Sequence, residues 1–433
     1  MKRSLTVLAT ALFLPLQSPA ETPPNVVLIL SDDQAWNEYS FMGHPHIETP
    51  RIDQFARQSL TFTRGYVPSS LCRPSLASII TGLHPFQHKI TGNDPPLGLR
   101  PHRQLWDAAN EKIDTFITEV ATLPRLLGSQ KGYLSFQTGK WWEGTPENGG
   151  FTSGMSHGDP SKGGRHGDDG LKIGRKGMQP AFDFIDSATA DKKPFFLWHA
   201  PFLPHNPHNP PKQLVEKYRP LTPSIAVANY WATVEWFDQT CGQLFDYLDQ
   251  NNLSENTIVL YVCDNGWIQD PDRPNRYAER SKRSPYDGGL RTPVIVRWPG
   301  KVSPKMDTTT AVLSTDIAPT ILKACGLEPT TDMHGIDLLD TAALQARPFI
   351  TGDIYLHNAI DLERPVSALS FRWIIRGDYK LISPFKPNAP GGTTQLFNIT
   401  ADPWEHQDLA AGNKRLVRSL EATLDSWYPL PRH

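Results

Sequence analysis

Two oxygen-rich pairs and one cysteine carry the residue types best suited to chemistry. Asp32 and Asp33 close the apolar run Asn25-Val-Val-Leu-Ile-Leu30, and Asp264 and Asn265 close a second, Ile258-Val-Leu-Tyr-Val-Cys263. Open α/β sheets gather ligands beyond the carboxyl ends of their strands, so both pairs are expected at one edge. Three carboxylates and a carboxamide converging there repel one another unless a cation lies between them. A hard divalent ion such as calcium or magnesium suits an all-oxygen set. Taken singly, each pair reads as an ordinary cap or turn.

Cys72 opens a segment in which Leu76, Ile79, Ile80 and Leu83 recur at helical spacing and Gly82 stands where a C-cap belongs. The cysteine is therefore expected in the first turn, at the positive end of the helix dipole, with a lowered pKa and nucleophilic or modifiable character. A small buried hydrophobe is the alternative for any one cysteine. Three more polar residues follow the same pattern of strand ends. Lys140 comes after Tyr133–Thr138, His205 after Pro194–His199, and Lys282 before the turn Tyr286-Asp-Gly-Gly289 that leads into Pro293–Trp298.

The elements that must hold these residues can be read from periodicity. Strand-like runs at 25–30, 133–138, 194–199, 258–263 and 293–298 alternate with helical patterns at 50–59, 115–128, 179–188, 213–218, 226–251 and 315–325. That alternation predicts an α/β fold with a doubly wound, mostly parallel sheet flanked by helices. Beyond about Gly335 short strands take over, at Pro348–Thr351, Val366–Ser370, Arg372–Arg376, Tyr379–Ile382 and Gln395–Asn398, followed by a helix over Lys414–Trp427. They predict a smaller C-terminal antiparallel-sheet subdomain. The expected division is a signal peptide at 1–20, a catalytic α/β unit at 21–340 and an α+β unit at 341–433.

Residues 1–20 carry Lys2 and Arg3, an apolar stretch from Leu5 to Leu16 and Ser18-Pro19-Ala20 as a cleavage site, which predicts a periplasmic or secreted product without a membrane anchor. A formal net charge of −2 argues against nucleic acid as a partner. The four cysteines show no paired spacing, so neither a zinc site nor a disulfide framework is indicated. Stability must come from a large core, for which 433 residues at 39% hydrophobic content suffice. The stretch 148–177, rich in Gly, His and Lys, reads as a long loop beside the strand ends.

Nine segments in order resemble the type I sulfatases of the alkaline-phosphatase superfamily. They are Asn25–Gln34, Thr49–Ala56, Cys72–Pro85, Gly139-Lys-Trp141, Pro204–Pro207, Cys263-Asp-Asn-Gly266, Lys282–Gly300, Thr315–Thr320 and the C-terminal group Gly377–Leu381, Leu396-Phe-Asn and Asp402-Pro-Trp-Glu405. The resemblance implies hydrolysis of a sulfate ester, on a sulfated saccharide, and a maturation enzyme that oxidises Cys72 to formylglycine. It implies one Ca2+ ion held by Asp32, Asp33, Asp264 and Asn265 with residue 72 beside it. A diol oxygen of the hydrated aldehyde would attack sulfur, and the second hydroxyl would later expel sulfate. Lys140 and Lys282 carry over as holders of the sulfate oxygens and His205 as the proton donor to the leaving oxygen. Arg73 and Trp142 are added as expected substrate-binding residues.

Two positions depart from the family pattern. Leu76 stands where Cys-x-Pro-x-Arg has arginine; Arg73 offers a guanidinium, but one residue along a helix turns the side chain by about 100°. Trp142 stands where Gly-Lys-Trp-His has histidine, and His157 or His166 is expected to take its place. Two other readings stay open. One is a phosphatase or phosphonate monoester hydrolase, with His334 near Asp337 and His357 near Asp353 as seeds of further metal ligands. The other is a catalytically silent module that binds sulfated glycans through Arg73, the lysines and Trp36, Trp141, Trp142 and Trp267.

Overall fold

The computed structural model describes residues 23–158 and 166–430. The leader expected at 1–20 and the loop positions 159–165 lie outside them. Among the described residues nine strands form one sheet: β1 (Asn25–Ser31), β2 (Leu60–Tyr66), β3 (Leu134–Gly139), β4 (Ser153–Gly154), β5 (Phe195–Ala200), β6 (Thr257–Cys263), β7 (Arg291–Arg297), β8 (Lys305–Asp307) and β9 (Val312–Leu313). The order is β4-β3-β5-β1-β6-β7-β2-β8, with β9 also pairing with β2. All pairs are parallel except those of β7, which runs against β6 and β2.

The central strands are apolar along their whole length because both faces are covered. Val26, Leu28 and Leu30 of β1 face one core, shared with Leu76, Ile79 and Ile80 of the helix Cys72–Thr81 and with Ile317 and Ile321 of the helix Ile317–Ala324. Val27 and Ile29 face the other, with Phe237 and Leu244 of the helix Ile225–Gln250 and Ile52 and Phe55 of the helix Pro50–Arg57. The alternating side chains of a buried strand thus bind a helical layer on each side, the expected doubly wound arrangement.

A second sheet holds β10 (Ile350–Tyr355), β11 (Leu369–Arg376), β12 (Tyr379–Pro384) and β13 (Gln395–Asn398), all antiparallel. Ile350, Ile354 and Trp373 pack against Tyr66, Val67 and Leu290 at the margin of the large sheet. Lys380 Nζ links the sheets, 2.8 Å from Asp287 Oδ1 and 2.9 Å from Glu405 Oε1. The helix Lys414–Trp427 covers the outer face through Leu420 and Leu424.

Three local expectations need correction. The helix expected at 115–128 is two helices, Arg103–Phe116 and Leu123–Lys131. Thr122 breaks them by capping the second, its hydroxyl accepting from Arg125 N, while Pro124 cannot continue a helix from its N-terminal side. The strand expected at Val366–Ser370 begins only at Leu369, because Pro365–Ala368 forms a single turn. β2 was not among the expected strands, although its carboxyl end delivers the chain to Cys72.

Candidate active site

Every acidic residue of the site stands just beyond a strand. Asp32 and Asp33 follow β1, Asp264 and Asn265 follow β6, and the parallel pairing of β1 with β6, Ser31 opposite Cys263, sets the two pairs side by side. Asp33 N donates to Asp264 Oδ1 (3.1 Å), and Asn265 Nδ2 donates to Asp33 Oδ1 (2.6 Å). Asp33 has φ 66, a left-handed conformation that aspartate tolerates better than most residues. Gly139 ends β3 at φ 79, where a Cβ would lie 1.8 Å from Ala200 O; only glycine lets the backbone turn there and deliver Lys140.

Cys72 begins its helix, with Leu71 extended at the N-cap and Gly82 at the left-handed C-cap, as expected. Ligand atoms of Asp32, Asp33, Cys72 and His205 all lie within 4.8 Å of one another. Lys282 Nζ is 3.1 Å from Cys72 Sγ and 2.5 and 2.7 Å from the two Asp33 oxygens. Lys140 Nζ is 2.6 Å from Asp32 Oδ1 and 3.5 Å from Asp264 Oδ2.

The thiol is not activated in the way its helix position suggests. Burial pushes Cys72 up to about 12, and the nearby Lys140 and Lys282 do not offset it. Desolvation outweighs the dipole where water is excluded, so the unmodified cysteine is a neutral thiol. Burial likewise raises Asp32 and Asp264, with Lys140 opposing it. Burial alone would discharge Lys140, but the carboxylates, Asp32 foremost and then Asp264, overrule it, and the ammonium titrates above the ordinary lysine value.

Three buried oxygens here, Asp32 Oδ2, Asp264 Oδ2 and Asn265 Oδ1, accept no hydrogen bond. Buried acceptors are seldom left so. Three carboxylates face two ammonium groups, and a divalent cation against the orphaned oxygens would turn the excess from negative to positive. The residues therefore fit a hard divalent cation, and the resulting charge would favour an anionic ligand.

His205 lies in a loop with cis peptides at Leu203–Pro204 and Asn206–Pro207. Its Nδ1 donates to Asn206 O (2.6 Å), its Nε2 is 3.4 Å from Asp33 Oδ2, and its ring stacks on Phe202 at 4.2 Å. Burial, then the two lysines, holds the imidazole well below the usual histidine value, so it is neutral before substrate arrives. Arg175, which the sequence did not single out, clamps this loop. It donates to Phe202 O (2.6 and 2.9 Å), His205 O (2.8 Å), Pro207 O (3.3 Å) and Asn209 Oδ1 (2.6 Å).

Trp142 packs at the site, 6.0 Å from Lys140 Nζ and edge-on to His166 at 5.0 Å. Of the histidines expected to replace the missing one, His166 reaches this margin, 6.5 Å from His205 between ring centroids. His157 does not: it is exposed and binds Asp169 at 3.0 Å. Nor does Arg73 face the anion position. Its buried guanidinium binds Glu143 at 2.8 and 3.0 Å, Asn110 at 3.5 Å and Asp114, because position 73 turns away from position 72. Glu143 and Asp114 had no signal of their own in the sequence. His334 lies against Trp427, and His357 is 3.6 Å from Asp94. Among the described residues no second cluster of metal-ligating side chains is found.

The sulfatase family model matches residues 24–327, and a model of the N-sulphoglucosamine sulphohydrolase C-terminal region matches 277–427. The fold and the site define a member of the alkaline-phosphatase superfamily, and the chain belongs to the sulfatase family. The N-acetylgalactosamine-6-sulfatase of Canis lupus familiaris is 28% identical over 74% of this chain and 66% of its own length, so the chain spans about two thirds of that relative. The endo-4-O-sulfatase of Bacteroides thetaiotaomicron is 26% identical over 94% of this chain and 93% of its own. Among solved structures, Ps i-CgsB in complex with k-i-k-neocarrahexaose has a TM-score of 0.73 at 22% identity, covering 94% of this chain and 92% of that one.

Proposed function

We propose that the chain is a sulfuric ester hydrolase that removes sulfate from a sulfated carbohydrate, using Ca2+ and a formylglycine formed from Cys72 by a maturation enzyme. One observation carries the reading: Cys72 Sγ stands among Asp32, Asp33 and His205 with Lys282 Nζ 3.1 Å away. Named relatives act on N-acetylgalactosamine 6-sulfate and on ulvan, and a chain of the same fold holds a neocarrahexaose, which supports a saccharide substrate.

Asp32, Asp33, Asp264 and Asn265 would hold the calcium ion. When bound it supplies positive charge that offsets the sulfate oxygens and favours the deprotonated form of a neighbouring hydroxyl. Lys140 and Lys282 hold the sulfate oxygens as point charges, and burial strengthens them. His205 presents Nε2 to the leaving oxygen. The charge of a bound sulfate raises its affinity for a proton, so it becomes an acid in the complex rather than in the free protein.

The same reading takes residues 21–340 as the catalytic unit and 341–433 as the smaller one. It takes the leader as evidence of export to the periplasm or medium; no helix of the described residues is long and apolar enough to cross a membrane. Matched sulfate and phosphate esters, assayed after co-expression with a formylglycine-generating enzyme, test the proposal. Preferential release of sulfate supports it. Preference for phosphate moves the chain to the phosphatase reading, and binding without turnover moves it to the silent glycan-binding one.

A further inference from the structure

A polar recess of about 540 Å³ is lined by Asp94, Leu97, Arg100, Arg103, Trp106, His357 and Asn358. Its volume is that of a small-ligand site. Hydrogen bonds from Arg73, the residue after Cys72, reach both of its walls. On one wall, Asn93 Oδ1 accepts from Arg73 N (3.0 Å), Asn93 N donates to His357 O (2.9 Å), and Asp94 pairs with Asn358. On the other, Arg73 reaches Asn110 and Asp114 of the helix Arg103–Phe116. Trp106 lies one turn before Asn110, on the same helix face and about 6 Å farther along the axis.

The arginines of this recess suit an anionic sugar, and its carboxylate, Asp94, lies 3.6 Å from His357 Nδ1. The Arg100 guanidinium is exposed and pairs with no carboxylate among the described residues. Arg103 forms an exposed pair with Asp107 at 2.6 Å, and such pairs are weak enough to exchange partners. Trp106 is half-buried and offers a broad apolar face beside these charges. A guanidinium binds sulfate or carboxylate in the same forked manner.

We propose that this recess is a second sugar subsite, which binds an anionic unit of the saccharide whose neighbouring unit presents its sulfate ester at residue 72. The assignment deepens the sulfatase reading and rests on it. Substrates with several charged rings are favoured over single sulfated sugars, and Arg100 and Trp106 set that preference.

The test compares a chondroitin 6-sulfate tetrasaccharide with N-acetylgalactosamine 6-sulfate, by calorimetric binding to full-length Cys72→Ala protein and by kcat/KM in the matured enzyme. Arg100→Gln and Trp106→Ala are each expected to lower the ratio of tetrasaccharide to monosaccharide affinity, about tenfold for the pair combined. An unsulfated chondroitin tetrasaccharide, which keeps its uronates, tells carboxylate from sulfate as the bound anion. A ratio unchanged in the Arg100→Gln protein, whose exposed site tolerates the substitution, overturns the subsite. Because binding is read without turnover, a wild-type protein that releases no sulfate removes the sulfatase reading, while an Arg100-dependent ratio in that protein still upholds the recess as a site for anionic sugars.

Discussion

Lys282 Nζ stands 3.1 Å from Cys72 Sγ and 2.7 Å from Asp33 Oδ2, so a single ammonium touches both the residue proposed to be modified and the acidic cage beside it. The role proposed for it, holding sulfate oxygens, should appear in the chemical step. Lys282→Ala is expected to lower kcat on an aryl sulfate by about 10²-fold, in line with the loss of one preorganised electrostatic donor. Steady-state kinetics check it, and a change confined to KM contradicts the assignment.

The pair Arg73–Glu143 is structural. Its members are 1% and 4% exposed at the side chain. Glu143→Ala leaves a buried guanidinium with Asp114 alone and is expected to destabilise the fold by about 3 kcal/mol or more. Denaturant unfolding measures it. An unfolding midpoint equal to wild type removes Arg73 from this network and returns it to the list of candidate sulfate ligands.

How far the sequence disclosed the site depended on where each signal lay. β1 and β6 were legible because burial on both faces writes near-continuous apolar runs, and the residues just past them were then expected at one sheet edge. β2 was not, because Thr61, Thr63, Arg64 and Gly65 break its apolar character even though Thr61 and Thr63 are buried. The helix break at Thr122 is a cap that a longer apolar period obscured. Arg73 has its carboxylate partners 41 and 70 residues away, a distance at which pairing leaves no local pattern. The thiol's raised pKa follows from enclosure by the whole fold, which helix position alone does not show.

Asp264 tests the metal. Asp264→Asn keeps the side-chain volume and removes one charge of the cage, so bound calcium, measured by plasma mass spectrometry after dialysis, is expected to fall from one ion per chain to well below one. Chelation should destabilise the wild-type protein, by about 2.7 kcal/mol if calcium had been present at 100 times its Kd, and the variant much less. Full calcium occupancy in the variant contradicts the ligand assignment.

Asp353 gives a pH signature away from the active site. Its carboxyl is buried and raised to about 7 by desolvation, with Arg372 opposing. A raised carboxyl keeps its proton in the native state over a range where the unfolded chain has lost it. Stability from this group is therefore full below the ordinary aspartate value and declines as pH rises toward 7, by at most about 1.4 kcal/mol per pH unit. Asp353→Asn should flatten the stability profile between pH 4 and pH 7, within about those limits. Unfolding midpoints across that range check it, and a slope as steep as wild type contradicts it.

The most direct test of the account is the chemical state of residue 72 in an active protein. Peptide mass spectrometry on chain co-expressed with a formylglycine-generating enzyme should find the aldehyde at that position, with sulfate release in proportion to the modified fraction and none from Cys72→Ala. An intact thiol in a preparation that hydrolyses sulfate esters, with activity that survives Cys72→Ala, would contradict it.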